Sequence, residues 1–221
     1  MKKLIAYIAV FYLSLFPLPL HAQEINEAVV QKWAKHYVEQ GFGMTVFTGY
    51  SFKTGKTSEY FSGSIPLGFD LYYQRNSMLY ILESGFNFSK IKKPIAIKNN
   101  PAWPTRNAMS LYMELNTGYE IADSKIFKII PTTGLGIALS GPINTKDNVD
   151  YRDAGLPYYK LGIITDIKIR YIEKDKTESR SSNTYIRLNI GRRAVFNRPA
   201  IDPYFKGSEY YISIGTGIMN W

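Results

Sequence analysis

The stretch YFSGSIPLGFDLYY, residues 60–73, alternates with a period of two. One parity is apolar apart from Gly63 and comprises Phe61, Ile65, Leu67, Phe69, Leu71 and Tyr73. The other parity is largely small or polar. Because successive side chains of a strand point to opposite faces, the pattern predicts a strand with one apolar face. Whether that face meets a protein core or lipid decides the fold.

The same period recurs along the rest of the chain. We predict eight strands, at residues 44–53, 59–73, 78–88, 108–121, 126–140, 158–172, 183–191 and 209–221. From the second connection onward, short turns alternate with loops of 17 to 19 residues. Of the connections expected at the end with the long loops, only the first, residues 54–58, is short. This asymmetry is typical of outer-membrane barrels, and an even strand number puts both chain ends on the short-turn, periplasmic side.

The second face of the predicted strands favours lipid as the partner of the apolar face. It is rich in Gly and Ser, as in Thr132, Gly134, Gly136, Ala138 and Ser140. An eight-stranded barrel has an interior barely wide enough for its side chains, so it needs small residues there, whereas a water-exposed surface does not. The longer strands, of 11–15 residues, exceed the five or six usual in soluble sheets and suit a bilayer. The alternative is a soluble, lipocalin-like ligand-binding barrel with its apolar parity inward.

The first 42 residues differ from the rest. MKK, an apolar run over 4–16, FPLPL and a small residue at Ala22 predict a secretory signal over 1–22. Residues 23–42 then predict a short amphipathic helix, whose apolar stripe comprises Ile25, Val29, Trp33 and Tyr37. This helix would lie on the inner membrane boundary, dock on a periplasmic protein or cap the barrel, which spans 43–221.

Composition restricts the partners. There is no cysteine, which excludes disulfides and a lipid-anchored cysteine. The net charge of +9 falls to +7 once Lys2 and Lys3 leave with the signal. In an exported protein, basic charge suits lipopolysaccharide phosphates better than nucleic acid, so no nucleic-acid partner is expected. The 18 tyrosines are expected where rings gather at membrane interfaces.

With its signal, its turn and loop layout and the terminal strand EYYISIGTGIMNW, the chain resembles the small eight-stranded outer-membrane β-barrel proteins of Gram-negative bacteria. The resemblance implies an all-β, antiparallel, up-and-down transmembrane barrel, porin-like and embedded in outer-membrane lipid. It also implies that the barrel-assembly machinery recognises the terminal aromatic, Trp221, during insertion. Counting back by twos from Trp221 gives Met219, Gly217 and Gly215 rather than large apolar residues. A bulge near Met219 or an imperfect terminal signal would explain this.

Charged residues on the small-residue parity should face the lumen. They are Asp70, Glu83, Glu114, Lys128, Lys160, Asp166, Lys168, Arg170 and Arg187. Because an unpaired buried charge is costly, these groups must pair. We expect a salt-bridged plug that fills the lumen, or else a narrow polar path for a small solute or ion.

The predicted external loops are basic. Loops 89–107 and 192–208 contribute Lys90, Lys92, Lys93, Lys98, Arg106, Arg192, Arg193 and Arg198. These cations suit lipopolysaccharide phosphates. Trp103, between two prolines, would anchor a partner protein or rest on the rim of a solvated loop.

Catalysis has little support in the sequence. Some barrels of this kind remodel lipids with a histidine, and after the signal the chain has one, His36, in the predicted helix beside Trp33 and Tyr37. No GxSxG, HExxH or CxxC motif and no metal-ligand cluster occurs. We therefore predict a cofactor-free, non-enzymatic barrel with a structural or interaction role. A lipid-modifying enzyme remains the alternative.

Overall fold

A computed structural model describes residues 40–96, 101–124, 126–143, 151, 153–172, 182–196 and 202–220. The predicted signal, the predicted helix up to residue 39, Lys98, Arg198 and Trp221 lie outside these residues. The described part is a closed antiparallel β-barrel of eight long strands. Each strand pairs with its neighbour in the chain, and the barrel closes where the last strand pairs with the first, from Lys53 opposite Glu209 to Phe42 opposite Asn220.

The long strands are β1 (Gln40–Lys53), β2 (Ile65–Arg75), β3 (Met78–Lys90), β4 (Asn107–Tyr119), β6 (Phe127–Pro142), β7 (Ala154–Ile172), β8 (Ser182–Val195) and β9 (Ser208–Asn220). A two-residue strand, β5 (Ala122–Asp123), pairs only with the start of β6. Two single-turn helices, α1 (Thr57–Tyr60) and α2 (Asp202–Phe205), lie in connections. No helix among the described residues is long and apolar enough to cross a membrane.

The two ends of the barrel differ. At the short-turn end, β2 and β3 are joined by a two-residue turn, with Arg75 opposite Met78 and Asn76 at a φ of 52°. Asparagine tolerates this left-handed conformation, as hairpin turns require. The start of β1 and the end of β9 lie at this same end. The connections β1–β2, β3–β4, β6–β7 and β8–β9 define the opposite, long-loop end.

The apolar parity faces outward, as predicted for a membrane barrel. Met113, in the middle of β4, is 55% exposed, and Leu115 is 67% exposed. Exposed apolar side chains occur on every long strand. A soluble barrel would bury this parity, so the lipocalin-like alternative is excluded.

Aromatic rings on the outer surface form two bands. At the short-turn end, the Phe42 and Tyr73 ring centroids are 4.8 Å apart; at the long-loop end, those of Phe52 and Tyr210 are 5.3 Å apart. Ten residues separate Phe42 from Phe52 along β1. At ~3.3 Å per residue and a tilt of ~40°, the bands are ~25 Å apart, the height of the apolar band of outer-membrane barrels.

Inside the barrel, apolar and charged layers alternate along the axis. Near the short-turn end lies an apolar layer of Tyr72, Leu79, Ile81, Ile130, Ile164, Tyr185 and Met219. A polar region occupies the middle. Over the long-loop end, connecting segments form a buried apolar cap of Phe61, Ile91, Ile95, Trp103, Ala108, Ala154, Leu156 and Phe205.

Several strand limits differ from the predicted ones. β1 begins at Gln40, four residues earlier than expected, and β8 continues to Val195 rather than ending at 191. β2 begins only at Ile65, because residues 57–60 form a helical turn and Ser51 and Ser64 make the last bridge to β1. Phe61 was predicted to face lipid, but this prediction is wrong. Its side chain folds inward and contacts Phe205, with 5.3 Å between ring centroids.

The end of β9 shows no bulge over its described residues. Its pairing with β1 is continuous to Phe42 opposite Asn220. Met219 is buried in the lumen, whereas Ile218 is 42% exposed. The outward, apolar face of β9 is therefore the one that carries Ile218. Counting back by twos from Trp221 follows the inward face instead, which explains the small residues found there without a bulge.

Candidate functional site

A four-residue charge cluster lies in the middle of the lumen. Glu83 on β3 and Glu114 on β4 face Lys160 on β7 and Arg193 on β8. Lys160 Nζ donates hydrogen bonds to Glu83 and to Glu114, the latter at 2.6 Å. Arg193 Nη2 donates to both carboxylates, at 2.8 and 2.9 Å. All four side chains are almost completely buried, so each charge depends on the others for compensation.

Tyrosine rings surround the Arg193 guanidinium. Its central carbon lies 4.6 Å from the Tyr112 ring centroid, 4.5 Å from that of Tyr211 and 5.9 Å from that of Tyr158. Lys160 Nζ lies 5.2 Å from the Tyr211 centroid. These cation–π contacts stabilise desolvated cations and fix the plane of the guanidinium.

A second cluster lies closer to the short-turn end. Arg187 donates from Nε and Nη2 to the two oxygens of Asp166, each at 2.7 Å, and from Nη1 to Asp70 at 3.4 Å. The bidentate geometry gives this pair both strength and a fixed orientation. Below it, the hydroxyls of Tyr72 and Tyr185 are hydrogen-bonded to each other across the lumen. Side chains of β2 and β8 therefore meet across the lumen at both levels.

The short-turn mouth has its own ion pairs. Lys128 Nζ lies 3.0 Å from Glu120 and 3.8 Å from Asp123, and it donates to Gln74 at 3.3 Å. Lys168 pairs with Asp123. Asp123 is on β5, so this two-residue strand brings a carboxylate to the lumen mouth.

The predicted lumen residues lie as follows. Seven are buried in the lumen, namely Asp70, Glu83, Glu114, Lys128, Lys160, Asp166 and Arg187. Lys168 is partly exposed at the short-turn mouth, and the side chain of Arg170 is outside the described set. The prediction missed Glu120, Asp123 and Arg193 as members of this network.

Three of the predicted loop cations are strand residues instead: Lys90 is the last residue of β3, and Arg192 and Arg193 lie in β8. Arg193 was expected in an external loop, but β8 extends past it and its inward parity places it in the lumen. Arg192, on the opposite parity, donates from Nε to Ser208 Oγ at 2.9 Å and lies 5.9 Å from the Tyr210 ring centroid. Its guanidinium is thus near the outer aromatic band.

Trp103 does not lie on a surface. Its backbone exchanges hydrogen bonds with Ile95, at 2.8 and 3.0 Å, and its side chain is completely buried beside Phe205. The expectation that Trp103 anchors a partner or rests on the rim is therefore wrong. The residue seals the cap instead, because the loop folds back on itself.

Exposed lysines gather at one side of the long-loop end. Lys92 Nζ donates to the Ser58 carbonyl at 2.8 Å, and Lys93 Nζ lies 3.5 Å from Glu59. Thr57 N donates to the Lys206 carbonyl at 3.4 Å, which brings a third segment against α1. We call the exposed lysines of these segments the basic patch: Lys56, Lys92, Lys93 and Lys206. Lys90 is also exposed nearby, at the end of β3, and Arg106 is partly buried.

No metal-binding constellation accompanies these charges in the described part of the chain. Among its residues, no group of three or more His, Cys, Asp or Glu is arranged to hold a metal ion. His36, expected with Trp33 and Tyr37 on the predicted interface helix, lies outside this part of the chain, as do these two neighbours.

Three features define the class of this fold: a closed wall, an outward apolar belt with two aromatic bands, and a lumen that contains charged side chains. This is the fold of the small eight-stranded outer-membrane β-barrels. No protein-family model and no curated protein matches the sequence. Among solved structures, the chain is similar to Neisserial surface protein A (NspA), with a TM-score of 0.45, 10% identity, and coverage of 80% of this chain and 95% of that one. It is also similar to the outer membrane protein OprG from Pseudomonas aeruginosa, with a TM-score of 0.42, 10% identity, and coverage of 84% and 97%.

Proposed function

We propose that this protein is a non-enzymatic, non-conducting barrel of the outer membrane whose basic patch binds the phosphate groups of lipopolysaccharide. In this proposal the long-loop end faces outward and the short-turn end faces the periplasm. The observation that carries it is the basic patch, four exposed lysines held together around α1 at the long-loop end. The charge of these lysines matches the dense phosphates of the outer leaflet.

The closed lumen supports a surface function. Arg187, Asp166 and Asp70 fill one level of the barrel, and the apolar layer around Tyr72 and Tyr185 fills the next. A solute would have to displace both layers. An eight-stranded barrel has little room for such a rearrangement, so activity at the rim fits the architecture better than transport.

The geometry of the patch suits phosphate. Lys92 donates one hydrogen bond to a backbone carbonyl, so among the described residues its other two ammonium donors are left for a ligand. Among the described residues, Glu59 is the acid that contacts the patch, through its pair with Lys93, and this pair is more than half exposed. An exposed pair contributes little, so a phosphate can compete with Glu59 for Lys93.

The test is binding of purified lipopolysaccharide to the folded barrel in detergent. We expect Lys92→Gln and Lys93→Gln each to weaken binding up to about fivefold, because an exposed charge pair contributes up to about 1 kcal/mol, and to reduce its salt dependence. Arg75→Gln is the matched control, because Arg75 is an exposed cation at the opposite end of the barrel. Dephosphorylated lipopolysaccharide should bind the wild type weakly.

Three outcomes would contradict the proposal. One is equal binding of the phosphorylated and dephosphorylated forms. Another is equal loss with Arg75→Gln and Lys92→Gln, which would indicate a general effect of net charge. Retained binding by both lysine variants would likewise contradict it, because lipopolysaccharide would then bind away from the basic patch.

A further inference from the structure

A groove of about 350 Å³ lies on the outer wall of the barrel, where β8, β9, β1 and β2 run side by side. We call it the wall groove. Its lining is almost entirely apolar. Six of its eight lining residues belong to the outward parity, namely Val46, Thr48, Leu67, Ile186, Ile214 and Thr216. The wall groove therefore opens toward the membrane and not toward the lumen.

The wall groove lies where short outward side chains meet on neighbouring strands. Val46 on β1 is opposite Thr216 on β9, and Thr216 is opposite Ile186 on β8. The hydroxyl of Thr48, two residues along β1 from Val46, donates to the Pro66 carbonyl at 3.0 Å. Because this hydroxyl is paired with the backbone, the groove keeps an apolar lining in spite of the threonine.

A cation lies on the same strands at the level of the long-loop aromatic band. Arg192 on β8 is opposite Tyr210 on β9, which is opposite Phe52 on β1. Arg192 Nε donates to Ser208 Oγ, and among the described residues its two Nη groups have no hydrogen-bond partner. Aromatic bands mark the level of the lipid headgroups. A guanidinium with free donors at this level suits a lipid phosphate.

The distance between Arg192 and the wall groove matches the length of an acyl chain in one leaflet. Six residues separate Arg192 from Ile186 along β8, and six separate Tyr210 from Thr216 along β9. At ~3.3 Å per residue and a tilt of ~40°, the far end of the groove lies ~15 Å from Arg192 along the membrane normal. This is half of the ~30 Å hydrocarbon core. A lipid whose phosphate contacts Arg192 would thus place the end of one chain in the groove.

The size of the wall groove favours one lipid chain over a second copy of the barrel. One water-sized group needs ~10–15 Å³ of such volume, so the groove has room for more than about twenty, enough for one acyl chain. A specific protein–protein interface uses about 20–30 residues a side, whereas eight residues line this groove. Exposed longer side chains such as Phe69 and Ile212 stand on the strands around it.

We propose that Arg192 and the wall groove together form a binding site for one phosphorylated membrane lipid. The lipid phosphate accepts hydrogen bonds from the Nη groups of Arg192, beside the Tyr210 ring. One acyl chain follows the outer face of β8 and β9 from Arg192 into the wall groove. This site is separate from the basic patch and does not depend on lipopolysaccharide binding there.

The probe is palmitoyl lysophosphatidate, which has one phosphate and one acyl chain. Native mass spectrometry of the folded chain, released from a short-chain nonionic detergent, measures the affinity of the first lipid adduct. Monopalmitoylglycerol supplies the chain without the phosphate, and glycerol phosphate supplies the phosphate without the chain. We expect lysophosphatidate to bind about five- to tenfold more tightly than monopalmitoylglycerol, because the partly buried Arg192 lies between an exposed ion pair and a buried charged hydrogen bond in strength.

Glycerol phosphate should bind at least tenfold more weakly than lysophosphatidate. Equal binding of lysophosphatidate and monopalmitoylglycerol would overturn the phosphate contact. Equal binding of glycerol phosphate and lysophosphatidate would show an ion site without a chain and would also overturn the proposal.

Arg192→Gln tests the phosphate contact. It should lower the affinity for lysophosphatidate to that for monopalmitoylglycerol, whose own binding should not change. Arg75→Gln is the matched control, because Arg75 is an exposed cation at the opposite end of the barrel, and it should bind both lipids like the wild type. An equal loss in the two variants would indicate a general effect of net charge and overturn the assignment to Arg192.

Thr48→Leu tests the wall groove, because the larger side chain fills part of it. We expect at least a fivefold loss for lysophosphatidate and for monopalmitoylglycerol alike. Thr133→Leu is the matched control. Thr133 is also an exposed threonine whose hydroxyl donates to a backbone carbonyl of the next strand, that of Lys160 at 3.3 Å, but it lies on β6, away from the groove. Equal affinities in the two variants would overturn the assignment of the chain to the groove.

Two further outcomes would overturn the proposal. A wild-type dimer that Thr48→Leu abolishes, without a lipid adduct, would make the wall groove an interface between two copies. A loss of the first adduct in Lys92→Gln as large as in Arg192→Gln would place the lipid at the basic patch. We expect Lys92→Gln to leave this adduct unchanged, so failure of this site and failure of the lipopolysaccharide proposal are distinguishable. All variants are first checked for a folded barrel by the mobility shift between unboiled and boiled samples in detergent gels.

Discussion

Arg193 and Glu114 form two hydrogen bonds inside the barrel, from Nε to Oε2 at 3.2 Å and from Nη2 to Oε1 at 2.9 Å. Both side chains are almost fully buried, and Lys160 approaches the same carboxylate from β7. Glu114 therefore ties β4 to β7 and to β8 across the lumen. Links across the lumen hold the cross-section of the barrel independently of the backbone ladder.

Glu114→Gln tests this link. The substitution leaves Lys160 and Arg193 with less compensation in a desolvated site, so we expect the free energy of unfolding in lipid vesicles to fall by about 3–5 kcal/mol. Glu59→Gln is the control, because the exposed Glu59–Lys93 pair should contribute no more than about 1 kcal/mol. Similar losses in the two variants would mean that the buried network does not stabilise the barrel.

Much of the fold could be predicted, because strands have a strict two-residue period. The alternation shows which side chains face outward. For example, it correctly places Met113 on the outer face and its neighbour Glu114 in the lumen. The alternation also contains the signal for Arg193, because the inward parity of Arg187 runs on through Asn189 to Arg193. The predicted strand ended at residue 191, so Arg193 was assigned to the basic loop 192–208.

The cap could not be predicted in this way. Trp103 and Phe61 are buried by contacts between loops that are far apart in the sequence, and no local period encodes such contacts. Ile91 and Ile95 were a partial signal, since they are apolar residues in a segment otherwise read as solvated. The same limit applies to the cavity of about 70 Å³ under the cap, which exists only because the cap covers the polar lumen.

Met113→Arg tests the lipid contact of the outer belt. Met113 is the central residue of β4 and is 55% exposed, so arginine there should lower the free energy of unfolding in vesicles by about 2–4 kcal/mol. Ile121→Arg is the matched control, because Ile121 is 63% exposed but lies beyond the end of β4, where the cost should be about 0–1 kcal/mol. Equal costs at the two depths would contradict a membrane-spanning belt.

Gly43→Ala tests the packing between the wall and the tyrosine layer. A Cβ at this position would overlap the Tyr72 ring and lie 2.6 Å from the Ile218 carbonyl oxygen. The Tyr72–Tyr185 contact must then shift, and we expect a loss of about 1–3 kcal/mol and a lower temperature for the gel mobility shift. Gly155→Ala is the control, since among the described residues its added Cβ would meet only Leu139, at 3.9 Å. A Gly43→Ala barrel as stable as Gly155→Ala would show that this layer is loosely packed.

The closed lumen predicts an electrically silent barrel. In planar bilayers, the wild-type protein should produce no discrete conductance steps under conditions in which a 16-stranded porin conducts, because Arg187 and the Tyr72–Tyr185 pair block successive levels. Rare leakage from damaged bilayers would be unaffected by substitutions in the lumen. Reproducible steps whose ion selectivity changes in Arg187→Gln would instead establish a path through the lumen and contradict the prediction. Arg187 contacts both Asp166 and Asp70, so removing its charge leaves two carboxylates that would favour cations in any such path.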